Sequence, residues 1–181
     1  YVGYTSEYND IIKYAYSRDV VIVASAGNGD PQTLGVMGQD LDFLKVSPVG
    51  NDVDGINMVL GVGALDAPWS NYGKDVDVFA PGTNITTTAD PKYTDGFWYD
   101  STTTWTSFSA PYVSWAVALL KSKYPQLKAY DIIDIISSSY AKKLNLLSNM
   151  FASVESTWNR CYTNKISANV RNGEILKIEF Y

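Results

Sequence analysis

The sequence contains no histidine in its 181 residues. The side chain most often used as a general base near neutral pH, and the commonest metal ligand, is missing, so histidine-dependent chemistry has to be completed by residues outside this sequence. There is one cysteine, Cys161, which excludes an intrachain disulfide and a zinc site built from a cysteine cluster; a plain buried or half-buried thiol is the ordinary reading for it. Positive charge is scarce, with 14 Lys and Arg against 19 Asp and Glu and a formal net charge of -5. No basic stripe is available to neutralise phosphates, which argues against nucleic acid as a partner. No apolar run reaches the roughly 18–20 residues that span a bilayer, and the opening Tyr-Val-Gly-Tyr-Thr-Ser-Glu segment has neither the charged nor the apolar region of a signal peptide. Internal repeats on the scale of about 20–50 residues are also lacking.

What is present is a chain that is 46% hydrophobic, enough for one domain burying about two-thirds of its unfolded surface. Residues 6–18 carry Tyr8, Ile11, Ile12 and Ala15 at the spacing of an amphipathic helix, with Thr5 or Ser6 available as N-cap. Residues 20–25, Val-Val-Ile-Val-Ala-Ser, form a continuous β-branched run closed by Ala26-Gly27-Asn28-Gly29, which predicts a strand buried on both faces of a parallel sheet. Residues 29–57 are rich in Gly, Asp and Pro and keep no period, the pattern of a long surface loop. Residues 58–65 and 76–80 predict two further buried strands. Residues 107–122 predict a helix with Val113, Ala116, Val117 and Leu120 inward, capped by the preceding Thr/Ser stretch and with Pro111 in its first turn, where a missing N–H costs little. Residues 129–143 repeat the helical pattern through Ile132, Ile133, Ile136 and Tyr140, with Lys142 and Lys143 at the negative end of the dipole. Residues 165–181 alternate apolar and polar around Asn172-Gly173, a hairpin signal. The chain opens at Tyr1 directly into a helical pattern, and a piece of a longer polypeptide is the expectation.

Three segments carry chemistry when taken together. They are Ala-Ser-Ala-Gly-Asn-Gly at 24–29 after a strand, Ser-Asn-Tyr-Gly running to Val-Asp-Val-Phe-Ala-Pro-Gly at 70–82, and Thr-Ser-Phe-Ser-Ala-Pro-Tyr-Val at 106–113 entering a helix. In this order and at these separations the chain resembles the C-terminal half of the catalytic domain of subtilisin-like serine proteases, over roughly residues 7–143. The resemblance implies a three-layer α/β fold with a mostly parallel sheet and its N-terminal part missing. It assigns residues 1–144 to that domain and leaves 145–181 as an unassigned tail ending in a β-hairpin.

Position by position, the resemblance makes Ser107 the nucleophile of a serine endopeptidase, because Ser107 follows a Thr and stands four residues before Pro111. Ser109, two residues before that proline, misses the signature. Asn28 matches the side-chain donor of the oxyanion hole, with the backbone N–H of Ser107 as second donor, and Ser25, Ala26 and Gly27 match the wall of the pocket for the substrate residue before the cleaved bond. A serine at a helix N-terminus suits the role physically, since unpaired N–H groups and the positive dipole end favour a developing oxyanion. The family's Asp and His precede its Ser along the chain, so both belong upstream, and this chain alone is expected to be inactive. One departure stands beside the nucleophile: where the family carries Gly, this chain has Trp105, which either lines the substrate pocket or blocks it. A non-catalytic subtilase-like binding or structural module is therefore the alternative.

The resemblance further implies a polypeptide substrate, the upstream part of the same polypeptide as partner, and an extracellular or cell-surface location. No cofactor is required; Ca2+ as a structural ion is open, because Asp30, Asp40, Asp42, Asp52 and Asp54 cluster in one loop, although their spacing matches no specific ligand loop and solvated turn residues explain them equally. Asn84-Ile85-Thr86 is a glycosylation sequon if the source glycosylates the protein, and otherwise a strand end.

Overall fold

The longest apolar run becomes the middle of a sheet. The computed structural model describes residues 2–3, 5–29, 37–41, 46–51, 53–94, 96–138, 166–171 and 174–180. In it β4 (Val59–Ala64) lies between β2 (Ile22–Ser25) and β5 (Val78–Ala80) and runs parallel to both. All six residues of β4 are buried, as a strand with neighbours on both edges and helices on both faces requires. The period of two sorts the faces. Val23, Leu60, Val62 and Val78 pack with Val113, Leu120, Ile132 and Ile136, whereas Ile22, Ala24 and Val59 pack with Ile12 and Tyr8. Helix α1 (Glu7–Ser17) thus covers one face, and α2 (Thr106–Lys123) with α3 (Ala129–Ser138) covers the other. This is the expected three-layer α/β arrangement.

Several expectations are corrected. The strand at 20–25 was expected to be buried on both faces, yet every residue of β2 is only half-buried, because among the described residues β2 is an edge strand of the order β2-β4-β5. Ile11 is 63% exposed while Ile12 is 1% exposed. The buried stripe of α1 runs through Tyr8, Ile12 and Tyr16, and Ile11 sits about 100° round the helix from Ile12. Ser6 makes no side-chain cap; Thr5 Oγ1 instead accepts from the Glu7 N–H at 3.3 Å.

The segment at 29–57 is more than a surface loop. Leu41, Val46, Val49, Asn51 and Val53 are buried, and β3 (Val46–Ser47) pairs antiparallel with β1 (Val2–Gly3). These anchors are isolated side chains: Leu41, Val46 and Val49 pack with Ala26 and Val76, while Asn51 Nδ2 donates to Thr5 O at 3.0 Å, and isolated anchors leave no period to read. A hairpin of β6 (Ile85–Thr88) and β7 (Tyr99–Thr103), joined through a 3-10 turn at Pro91–Tyr93, was not expected. Helix α2 begins after Trp105, whose backbone is extended at φ -162 and which provides no side-chain cap. Pro111 is therefore the sixth residue of the helix and not part of its first turn, and its missing N–H leaves the Ser107 carbonyl without the usual helical donor.

The three helices are clipped together by Asp19, which follows α1 with φ 65. Its carboxylate accepts from Lys121 Nζ at 2.6 Å and from the backbone N–H of Ala129 at 2.5 Å, the first residue of α3. The hydrogen bond from Lys121 lowers the Asp19 pKa, burial opposes this, and the Ala129 N–H adds to it. Toward the C-terminus, β8 (Ile166–Arg171) pairs antiparallel with β9 (Glu174–Phe180). Tyr140, Lys142, Lys143, Cys161, Asn172 and Gly173 lie outside the described residues. No helix among the described residues is long and apolar enough to cross a membrane.

Candidate active site

In open α/β sheets, sites form beyond the carboxyl ends of the parallel strands, where loops and helix N-termini converge. Beyond β2 the chain passes through Ala26, 1% exposed, to Gly27 at φ 86, a backbone state that L side chains rarely adopt. That turn brings Asn28 to the start of α2. The Asn28 Oδ1 accepts from the backbone N–H of Thr106 at 2.9 Å. Because Thr106 donates, the oxygen of the amide is committed to the helix and the NH2 group is the face left to present as a donor. Ser107 is the next residue, in the first turn of α2, and it is exposed.

The position of that first turn is fixed from below. The Trp105 N–H donates to Gly82 O at 2.9 Å, and Gly82 is buried. A Cβ at Gly82 would lie 2.3 Å from Ser109 Oγ and 2.8 Å from the Ala64 Cβ, so only glycine lets the turn after β5 pass this close to the helix. Ser109 is fully buried, which removes it from any reaction with a substrate. Its Oγ and the Thr106 Oγ1 have no hydrogen-bond partner among the described residues. The Trp105 indole is 41% exposed and meets Trp69 edge to face, with ring centroids 6.4 Å apart and planes at 66°.

The strand-like segment 69–71 borders the Asn28 turn. Gly29 N–H donates to Trp69 O at 2.7 Å and Asn71 N–H to Gly27 O at 3.1 Å, which places Asn28 opposite Ser70 in an antiparallel bridge. The structure therefore brings Asn28, Trp105 and Ser107 together around the start of α2, with Ser25, Ala26 and Gly27 on the approach to Asn28. Two residues that shape this site, Trp69 and Asn71, were not singled out from the sequence. Their partners across the site lie 32 or more residues away in the chain, and although Asn71 stands in the Ser-Asn-Tyr-Gly segment, that segment does not by itself signal the contact. The acidic loop contributes nothing to the site that can be described: Asp30, Asp42 and Asp52 lie outside the described residues, Asp40 bridges to Tyr72, and Asp54 pairs with Lys13 at 3.0 Å. No group of three His, Cys, Asp or Glu side chains among the described residues could hold a metal ion.

Comparison with known proteins places the chain in a family. The model of the subtilase family, Peptidase S8, matches residues 1–159. Subtilisin DY of Bacillus licheniformis is 32% identical over 138 residues, which cover 69% of this chain and 41% of that protein. An alkaline proteinase of Hapsidospora chrysogena is 28% identical over 151 residues, 81% of this chain and 31% of that protein. Mycosin-2 of Mycobacterium tuberculosis is 35% identical over 149 residues, 67% of this chain and 26% of that protein. The chain thus spans less than half the length of these relatives, and within that span it belongs to the subtilase family and has an α/β subtilisin-like fold.

Proposed function

We propose that the protein to which this chain belongs is a serine endopeptidase that cleaves polypeptides by acyl transfer through Ser107. The Ser107 Oγ attacks the scissile carbonyl and its proton passes to a general base. The carbonyl oxygen, now negative, is held by the Asn28 Nδ2 and the Ser107 N–H, and the bond to the leaving amine breaks as the base returns the proton. Water then repeats the sequence on the acyl-enzyme and releases the second product. The chain holds no His, so the base and its orienting carboxylate come from residues outside this sequence. The chemistry needs no cofactor, and an extracellular or cell-surface location is part of the same proposal.

The observation that carries this reading is the 2.9 Å hydrogen bond from the Thr106 N–H to Asn28 Oδ1. It orients an amide donor beside the exposed serine hydroxyl at a helix N-terminus, the arrangement that oxyanion stabilisation requires. Trp105 bears on the alternative of a non-catalytic module. Its indole packs against Trp69 while Ser107 stays exposed, which favours a pocket wall over a plug.

The test is active-site labelling of the full-length protein with a fluorophosphonate. Labelling is expected, should be abolished by Ser107→Ala, and should be accompanied by hydrolysis of a chromogenic peptide. Asn28→Ala should lower kcat by about 10²–10³, a value established for a subtilisin, with KM little changed. Labelling that persists in Ser107→Ala, or none in the wild type, refutes the assignment.

A further inference from the structure

The turn that carries Asn28 has left the sheet, and its two preceding carbonyls need new donors. The last ladder bond along this path is Ala26 N–H to Val62 O at 2.8 Å, and Gly27 at φ 86 then turns the chain out of strand geometry. One residue supplies both donors. The Asn71 Nδ2 donates to Ala26 O at 2.9 Å, and the Asn71 backbone N–H donates to Gly27 O at 3.1 Å. The side chain is completely buried, and its Oδ1 accepts from the Gln39 N–H at 2.8 Å. Asn71 is itself held from below, because Ser70 Oγ donates to Asn71 O at 3.0 Å and accepts from the Ala64 N–H of central strand β4 at 2.9 Å. A path of hydrogen bonds therefore runs from β4 through Ser70 and Asn71 to the two peptide groups before Asn28.

From this path we propose that Asn71 is a positioning residue for the oxyanion site, fixing where the Asn28 amide stands when the tetrahedral intermediate forms. The inference rests on the proposed role of Asn28. A glycine next to the donor gives the turn many alternative backbone states, and Asn71 selects one by fastening the carbonyls on both sides of the Gly27 α-carbon. The Thr106 N–H holds the far end of the Asn28 side chain. The donor is thus pinned at its backbone by Asn71 and at its oxygen by α2, and releasing the first pin shifts the NH2 group without removing it. Preorganised donors work only while their position is held, and a displacement of about 1 Å in such a site costs about 10²-fold in rate. Because a side-chain substitution leaves the Thr106 bond and the backbone bonds to Gly27 O and from Gly29 N–H in place, a loss of about 10–10² in kcat is expected, with KM within about threefold of the wild type.

The decisive experiment is a double-mutant cycle in the full-length protein with a chromogenic peptide substrate. Asn71→Ala is the informative variant, since it removes the donor to Ala26 and the acceptor for Gln39 without adding charge; Asn71→Asp keeps the shape and that acceptor but sets a second acceptor, and a buried charge, against Ala26 O. Asn71→Ala should lower kcat by about 10–10² in the wild-type background, and Asn71→Asp by at least as much. In the Asn28→Ala background they should add less than about twofold, because there is no donor left to position. Ile135→Val, a core change in α3 with a comparable loss of Tm, should leave kcat unchanged and separates positioning from general destabilisation. Full kcat in folded Asn71→Ala, or an equal loss from Asn71→Ala in the presence and absence of Asn28, overturns the inference while leaving the role of Ser107 intact. A wild type that neither cleaves the peptide nor reacts with a fluorophosphonate overturns the underlying reading together with the inference.

Discussion

Trp105 meets Trp69 edge to face, with their ring centroids 6.4 Å apart, at the mouth of the site beside Ser107. Such pairs contribute about 0.5–1.5 kcal/mol beyond the area they bury, so the indole is held in one place and, under the proposed function, would act as a fixed wall of the substrate pocket. Trp105→Gly should therefore broaden the choice of residue before the scissile bond, shifting the kcat/KM ratio between small and large side chains by about tenfold to two-hundredfold. The rate on the best substrate should change little. A wild type that resists fluorophosphonate and a Trp105→Gly variant that reacts would show instead that the indole closes the site.

The chain of 181 residues by itself should show no peptidase activity, because nothing in it can accept the Ser107 proton efficiently at neutral pH. Residual hydrolysis by the purified chain that disappears in Ser107→Ala would contradict this.

Asp19 should make stability depend on pH. Its carboxyl is held below the ordinary carboxylate range, first by the Lys121 hydrogen bond and then, against the cost of burial, by the Ala129 N–H. A group whose folded pKa is lowered stabilises the fold above its unfolded pKa and loses that contribution as the pH falls through the folded value. Asp19→Asn should cost about 1–3 kcal/mol near pH 7, and the difference in Tm from the wild type should shrink on acidification below about pH 4. A difference that is constant with pH would mean the carboxylate charge is not what clips the helices.

Ser109→Ala should be neutral or stabilising by about 1 kcal/mol, because the Ser109 Oγ is buried and has no partner among the described residues. Gly82→Ala should do the reverse, since its Cβ would lie 2.3 Å from that oxygen and would push the start of α2 away from Gly82. Thermal unfolding measures the first; a fall in both Tm and kcat measures the second. In the double variant the contact with the Ala64 Cβ at 2.8 Å remains, so the rescue should be partial.

Leu60→Ala, at a fully buried position of β4, should lower stability by about 2–5 kcal/mol. A loss below about 1 kcal/mol by denaturant unfolding would mean that the middle strand tolerates a void that the packing of β4 leaves no room to relax.

The parts of the fold that could be read from the sequence are those in which a residue's burial is decided by its neighbours in the chain. Strand β4 is an unbroken apolar run, and the inward face of α2 repeats at helical spacing, so both were visible. The β6–β7 hairpin was not, because Ile85–Thr88 and Tyr99–Thr103 are mostly polar and β6 alternates between half-buried and exposed positions. The depth of β2 was misjudged for a related reason: a β-branched run reports a strand and does not report how many neighbours it has. At the site, the motifs exposed Ser107 and Asn28 by local spacing. Asn71 stood within the Ser-Asn-Tyr-Gly segment, but the segment did not reveal its role, since its bond to Ala26 spans 45 residues, and Trp69 becomes informative only once Trp105 is beside it.

The bond between Asn28 and Thr106 closes a span of 78 residues, and that span has a kinetic consequence. A contact so distant in sequence forms only after the intervening segments have folded, because its loop-closure entropy is compensated late. A chain with β2, β4 and β5 already paired but α2 undocked would carry Ser107 without its amide neighbour. Under the proposed function, the serine and its oxyanion donor would become a working pair only when α2 docks against the turn after β2, and the serine would stay unarmed until then.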